Sequence, residues 1–302
     1  MADHIAVGAE RIALAIDIGG TKLEVGLVDG SGSVLARRRA PSPARDGEAM
    51  WAALVGLVAE VRGLGPAPSV VGVGSGGPMS AGGELLTPLN IPGWRAFPLR
   101  SRLAELCALP AFVDNDAKAL ALAEGWVGAA VGCEDYIALV VSTGVGGGIV
   151  SGGRLLDGAS GNAGHIGHVI VEPDGHLCPC GARGCLEAEA SGTAIAAITG
   201  APAADAGPEV RRRCGRLVGR AVASVANLLD LRLAVVAGSV ALGYDSDFFT
   251  AAQDEADRSA CLDFSRGLRI VPAGCGDAGP LVGAAAVGFA GRPEIDRQAT
   301  DR

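Results

Sequence analysis

Three of the chain's four histidines, His165, His168 and His176, and three of its eight cysteines, Cys178, Cys180 and Cys185, fall between residues 165 and 185. Turn formers are too frequent there for a long helix. The Cys-x-Cys-x4-Cys spacing, with a histidine at position 168, suits one four-coordinate zinc, with His168 or His176 completing the set. A closed Cys3His set leaves no position for substrate, so such a metal holds a loop rather than reacting.

A second group of residues is suited to phosphate. Apolar runs read as strands stop at Gly19-Gly20, at Gly74 to Gly77, at Gly144 to Gly148 and at Gly238. Turns of this kind let backbone N–H groups converge on an anion. Thr21 and Thr143 add hydroxyls at matched places, so the two turns together suit a polyphosphate. Asp17 lies just before the first turn, where a carboxylate can hold Mg2+ directly or through water. Gly72, Gly74 and Gly77 formally fit G-x-G-x-x-G, but Pro78 follows and no helix opens to receive a pyrophosphate, which removes the dinucleotide reading. No P-loop signature occurs. The run Asp114-Asn115-Asp116 ends a strand and opens a helix. A carboxylate there projects well into a cleft, and it equally suits an N-cap. The helix N-terminus favours the ionised form of Asp116.

The elements that must position these residues follow a repeated plan. Ile12 to Asp17, Leu23 to Val28 and Val34 to Arg37 read as a strand meander with short turns. At Tyr136 the plan returns: strand to Val141, Ser/Thr/Gly turn, strand to Val150, Gly turn at 151–153, then Leu155-Leu156. This is an internal duplication of one supersecondary unit. Glu48 to Arg62 has helical periodicity with Trp51, Leu54, Val55 and Val58 on one face. Further helices are expected at 99–106, 117–125, 192–198, 210–229, 248–258 and 280–290, with strands at 70–73, 111–113, 233–237 and 268–271.

Composition narrows the class. The 302 residues suffice for two domains, hydrophobic residues make up 49%, and 47 glycines cluster beside apolar runs as turns. A net charge of −8 argues against nucleic acid as a partner. The runs Arg37 to Arg39 and Arg211 to Arg213 read as solvated faces. No apolar stretch is long enough to span a bilayer, and the first residues lack signal-peptide architecture. A cytoplasmic address is expected, where clustered cysteines are metal ligands rather than disulfides. Cys107, Cys133, Cys214, Cys261 and Cys275 are scattered and read as buried thiols.

Taken in order, the motifs resemble those of the ROK family of sugar kinases. They are Asp17-Ile18-Gly19-Gly20-Thr21-Lys22, Asn115-Asp116-Ala117, Ser142-Thr143-Gly144 through Gly148, Gly164-His165-Ile166-Gly167-His168, Cys178 to Glu187, and Gly238-Ser239. The resemblance covers roughly residues 11 to 290. It implies an α/β fold of two duplicated actin-like ATPase, hexokinase-like domains around a cleft. The expected division is a small domain over 1–117, joined by a C-terminal helix at about 287–302, and a large domain over 118–286 carrying the zinc motif. Some family members are repressors with a preceding winged-helix domain. Because the phosphate motif starts at Asp17, no such domain is expected.

The activity implied is ATP-dependent phosphorylation of the 6-hydroxyl of a hexose or aminohexose, with Mg2+ and a structural Zn2+. A non-catalytic sugar-sensing protein of the same ancestry is the alternative. Carried over residue by residue, Asp116 takes the proton of the sugar's primary hydroxyl. Gly77, Thr87, Asn90, Asn115, His165, His168 and Glu187 contact the sugar. Asp17, Gly19, Gly20, Thr21, Lys22, Thr143, Gly144 and Gly238 hold the nucleotide, and the family pattern selects His168 with Cys178, Cys180 and Cys185 for zinc. Many family kinases have glutamate at the place of His165, whereas N-acetylmannosamine kinases resemble this chain in having histidine. Asn90-Ile91-Pro92-Gly93-Trp94 resembles glucokinase-like members instead, and Lys118 stands where a small or amide residue is common. The expected partner is a small sugar, with neither nucleic acid nor membrane, in a homodimer or homotetramer.

Overall fold

The repeated plan of the sequence becomes two five-stranded sheets with one strand order. The computed structural model describes residues 8–291. The first elements are β1 (Ile12–Ile18), β2 (Lys22–Asp29), β3 (Val34–Pro41), α1 (Gly47–Arg62), β4 (Val70–Ser75), α2 (Leu99–Cys107), β5 (Ala111–Asn115) and α3 (Asp116–Val127). Then come β6 (Tyr136–Val141), β7 (Val145–Ser151), β8 (Arg154–Leu155), α4 (Leu186–Ala190), α5 (Gly192–Thr199) and α6 (Pro208–Leu229). The chain continues through β9 (Leu233–Ala237), α7 (Ser239–Ser259), β10 (Arg269–Pro272) and α8 (Gly279–Ala290). One sheet runs β3-β2-β1-β4-β5. The other, read from its β8 edge, runs β8-β7-β6-β9-β10. In both, the first three strands pair antiparallel and the last two add in parallel.

The described residues divide into two compact units. One holds Leu120–Gly276; the other holds the chain up to Ala119 and from Asp277 onward. The first division falls inside α3, two residues beyond the 117/118 division expected. The helix expected over 280–290 is α8, Gly279–Ala290, and it is this helix that joins the first unit, while most of the 287–302 range lies outside the described residues. The reason is packing. α8 is a run of small and apolar residues, and Gly72 of β4 has no Cβ because one would strike the Ala284 carbonyl. The helix is therefore seated on the first sheet from its beginning.

Each unit has its own core. In the first, Leu14, Ile16 and Leu27 meet Met50, Leu54 and Val58 of α1. Helix α1 starts at Asp46, whose carboxylate accepts from the Glu48 and Ala49 amides at 3.1 and 3.0 Å, a cap that contributes about 1 kcal/mol. Its buried face is Met50, Leu54, Leu57, Val58 and Val61, so Trp51 and Val55 sit at the edge of the face expected for them. Trp51 lies under the Arg102 guanidinium, 4.4 Å from the ring centre. In the second unit Ile137, Leu139 and Val141 of β6 pack with Leu217, Val218 and Phe248. Burying an aromatic ring as fully as Phe248 stabilises by roughly 1.5–3 kcal/mol.

Two expectations on single residues need correction. Cys107 and Cys214 are buried, Cys133 and Cys275 are half-buried, and Cys261 is exposed at the end of α7. Helix α7 begins at Ser239, well before the 248 expected, because Gly243 and the positive φ of 49° at Asp245 interrupt its apolar period. Among the described residues no helix is long and apolar enough to cross a membrane.

Candidate functional site

In the first unit the candidate groups gather where β1, β4 and β5 end. Cross-strand partners share a sheet face. The register pairs Asp17 with Glu24 and Glu24 with Arg39, which makes one charged row. Burial pushes the Asp17 carboxyl up to about 7; Lys22 opposes, Asp116 and Glu24 add to the rise, and Arg39 opposes. Glu24 is fully buried, with Lys22 Nζ at 3.1 Å and Arg39 Nε at 2.8 Å. The Lys22 ammonium, expected at the nucleotide, is thus engaged with Glu24. Arg37 and Arg39 also reach Asp277 at 2.8 Å, so this arginine run is a paired face.

The turn after β1 is tight: Gly19 N donates to Lys22 O at 3.0 Å, and Ser42 Oγ to Gly19 O at 2.7 Å. A Cβ on Gly20 would lie 2.6 Å from the Asn90 carbonyl oxygen, and one on Gly76 3.2 Å from Asn90 Oδ1. Asn90 therefore sits against both the phosphate turn and the end of β4. Its loop is fixed by Trp94, which is fully buried, stacks on Phe97 at 4.3 Å and donates from Nε1 to Gly47 O at 3.1 Å. Thr87 Oγ1 accepts from Ala96 N at 3.0 Å, and Thr87 N donates to Pro78 O at 3.0 Å, across the turn from Gly77.

Asn115 and Asp116 occupy the junction of β5 and α3. The Ala117 amide donates to Asn115 Oδ1 at 3.0 Å and to Asp116 Oδ1 at 2.9 Å. A Cβ on Gly77 would be 3.8 Å from Asn115 Nδ2, and one on Gly74 3.7 Å from Asp116 Cα. Asp17, Gly20, Gly77, Asn90, Asn115 and Asp116 thus form one neighbourhood. Two residues on, Lys118 is only 2% exposed and pairs its ammonium with Asp114 Oδ1 at 2.9 Å. That ion pair ties the helix's first turn back to the strand.

The second unit's turn is built from hydroxyls. Ser142 N donates to Gly144 O at 3.0 Å, and Ser142 Oγ meets Ser239 Oγ at 3.0 Å. Thr193 Oγ1 donates to Thr143 O at 2.9 Å. Gly238 has φ +101°, and a Cβ there would strike the Val141 carbonyl, so only glycine lets the chain turn from β9 into α7. Beside these residues lies a cavity of about 420 Å³, lined by Thr143, Thr193, Ala196, Ala203, Ser239 and Tyr244 among others. Of these, Thr143 was expected at the nucleotide and Ser239 was noted only within the Gly238-Ser239 motif; Thr193 and Tyr244 were not singled out. Ser239 follows Gly238 directly and Thr193 follows the Ser191-Gly192 helix start, the two signals that would have found them.

Glu187 opens α4 and its Oε2 accepts from Val145 N at 2.9 Å; a Cβ on Gly144 would be 2.8 Å from that oxygen. His165 precedes the short 3-10 turn Ile166–His168, and its ring centre is 6.2 Å from that of His168.

The ligand atoms of His168, Cys178, Cys180 and Cys185 all lie within 4.8 Å of one another. Cys178 Sγ is 3.7 Å from His168 Nδ1, and Cys180 Sγ is 3.7 Å from Cys185 Sγ. Tetrahedral Zn–S bonds of about 2.3 Å require S···S separations of roughly 3.8 Å. The donors therefore fit zinc. Burial pushes Cys185 up to about 12 and Cys178 upward too, while the Ala182 amide draws Cys180 down. A bound dication would resolve this conflict by holding all three as thiolates.

His176, the competing fourth ligand, is occupied elsewhere. Its backbone N and its Nδ1 lie 2.6 and 3.0 Å from Glu189 Oε1. Glu189 is 1% exposed and takes Arg213 NH2 at 2.6 Å on its other oxygen. Burial alone would raise this carboxyl, but Arg213 and His176 outweigh it and hold it below the usual range. The clasp joins the cysteine loop, α4 and α6.

The match to known proteins agrees with this geometry. The model of the ROK family matches residues 13–289. The N-acetylmannosamine kinase of Escherichia fergusonii is 40% identical over 246 residues, covering 76% of this chain and 83% of the relative. A ROK hexokinase from Thermus thermophilus superposes with TM-score 0.81 at 32% identity, covering 92% of this chain and 98% of that one. A ROK family glucokinase from Streptomyces griseus, crystallised with glucose and AMPPNP, gives 0.78 at 30% identity, covering 93% and 100%.

Proposed function

We infer, from the premise that this chain belongs to the ROK family and has its hexokinase-like fold of two mixed sheets, which acceptor this ATP-dependent sugar kinase takes. The acceptor is an aminohexose of the N-acetylmannosamine type, phosphorylated on its 6-hydroxyl. The observation that carries this reading is His165, an imidazole where many kinases of the family carry a glutamate, in a chain 40% identical to an N-acetylmannosamine kinase. The proposed sugar contacts are Gly77, Thr87, Asn90, Asn115, His165, His168 and Glu187.

Asp116 is the base. Phosphoryl transfer passes through a loose transition state, so a carboxylate of low basicity suffices if it holds the primary hydroxyl in line. Its anchoring supports that role: the Ala117 amide at the start of α3 holds the carboxylate by Oδ1 at 2.9 Å. Asp17 would hold Mg2+, which neutralises the charge on the transferred phosphoryl group. The Gly19 to Thr21 and Thr143 to Gly144 turns cradle phosphates. The zinc set His168, Cys178, Cys180 and Cys185 is structural; it fixes the start of α4 and so the place of Glu187.

A second reading, plain glucose as acceptor, is favoured by Asn90-Ile91-Pro92-Gly93-Trp94. A coupled ADP-release screen over glucose, mannose, N-acetylmannosamine, N-acetylglucosamine and 3-amino-3-deoxyglucose decides. The highest kcat/KM is expected for N-acetylmannosamine; a higher value for glucose overturns the acceptor reading. Sugar-dependent thermal stabilisation with no ADP release from any of the five would instead identify a sensor.

A further inference from the structure

We propose that this kinase does not read the base of its phosphoryl donor by hydrogen bonding: GTP and ITP serve beside ATP. This rests on the kinase reading above, with the 420 Å³ cavity of the second unit receiving the base. That volume lies in the range of pockets that enclose small ligands.

The argument lies in the cavity wall. From α5, the following loop and α7 it presents Ala196, Pro202, Ala203, Ala204, Val240 and Gly243, none with a side-chain nitrogen or oxygen. Among the described residues no amide or charged side chain lines the cavity. Tyr244 is the one aromatic group there, and its hydroxyl is engaged with Ala203 O at 2.7 Å. The remaining hydroxyls are those of Ser142 and Thr143 in the turn after β6, Thr193 at the start of α5 and Ser239 at the start of α7. Ser142 and Ser239 bond to each other, and Thr193 bonds to Thr143 O.

Backbone acceptors are engaged as well. Ser142 O receives Gly192 N at 2.7 Å, Ala196 O receives Gly200 N at 2.9 Å, and Pro202 O receives Asp205 N at 2.9 Å. Ala203 O takes Ala206 N at 3.1 Å in addition to Tyr244. Adenine carries a 6-amino donor and an N1 acceptor, whereas guanine reverses both, so telling them apart needs a partner of fixed polarity. The wall offers no side chain of fixed polarity, since a serine or threonine hydroxyl donates and accepts alike. Sites that hydrogen-bond a substrate group reject the wrong analogue by about 10⁴–10⁵, whereas apolar pockets separate near-isosteres by only about 10–200-fold.

The test uses the full chain with its best sugar and follows sugar phosphate, a readout that does not depend on the nucleotide. GTP and ITP are expected to support kcat/KM within about 200-fold of ATP. A larger deficit for both overturns the inference and leaves the kinase standing. No sugar phosphate with any nucleoside triphosphate overturns the kinase reading and the inference with it. Ala196→Phe fills the wall and is expected to raise KM for ATP and GTP together by about tenfold or more, with the sugar KM unmoved. An unchanged nucleotide KM in the folded variant shows that the base lies elsewhere, which also overturns the inference.

Discussion

The two sheets share strand order and pairing, yet they differ one residue pair back from the first turn. In the first sheet that pair is Asp17 and Glu24; in the second it is Val140 and Gly146. Carboxylates drawn out of water oppose folding unless paired, and Asp17 shows the strain in its raised pKa. The second sheet avoids this and places neutral hydroxyls on the loops instead: Ser142, Thr193 and Ser239. On the proposed reading, one copy of the duplicated unit carries charge for chemistry; the other carries hydroxyls and a Cys3His set that fits a metal. A costly feature retained in one copy and absent from the other is where function is to be sought.

The sharpest break of this comparison is Asp116→Asn. Loss of a general base costs about 10²–10⁴ in kcat, while circular dichroism and melting temperature remain those of the wild type; retained turnover would remove Asp116 from its role. Asp17→Asn should also lose activity, and it should gain stability. An acid with a raised folded pKa keeps its proton longer in the folded chain. From the ordinary 3.8 up to about 7, wild-type stability therefore falls as pH rises, and it levels off above. The variant escapes this loss. Without metal, its melting temperature should match the wild type near pH 4 and exceed it above pH 7, by at most roughly 4 kcal/mol at about 1.4 kcal/mol per unit. Equal melting curves at all pH values would mean that Asp17 is not strained. The mirror change, Val140→Asp, should cost about 1–3 kcal/mol with no gain in activity.

The metal knot sharpens the other side. Cys180→Ser should lose bound zinc, measured by elemental analysis, and raise the sugar KM more than it lowers kcat, because the knot holds Glu187 rather than the base. The smallest effect is expected for Glu189→Gln, which loosens the His176 and Arg213 clasp. Since Arg213 is partly exposed, the cost is about 1–2 kcal/mol, read by urea melts, with kcat retained.

Much of this was legible in the chain because the repeated unit is short and local: apolar run, Gly turn, apolar run. Asp17, Asn115 and Asp116 sit at strand ends, where a turn announces them. Glu24 was missed because its place in a strand of alternating character reads as a solvent-facing carboxylate; only the register with Asp17 and Arg39 reveals its burial. The clasp of Glu189 with Arg213 was missed because it joins α4 to α6, and no local pattern encodes which arginine of Arg211-Arg212-Arg213 turns inward. Thr193 lies far along the chain from Thr143, so its bond could not be seen either. The three-cysteine spacing pointed to a metal, but the choice of His168 over His176 needed coordinates or the family pattern, since spacing alone admits both.

The central claim is that charge gathered at the end of the first sheet moves a phosphoryl group to a sugar's primary hydroxyl. Phosphorus NMR on the product of ATP and N-acetylmannosamine tests it most directly. The account predicts a new phosphate ester coupled to the methylene protons at carbon 6, formed by the wild type and absent with Asp116→Asn. An ester at another carbon, or the same ester at an undiminished rate from the variant, would contradict it.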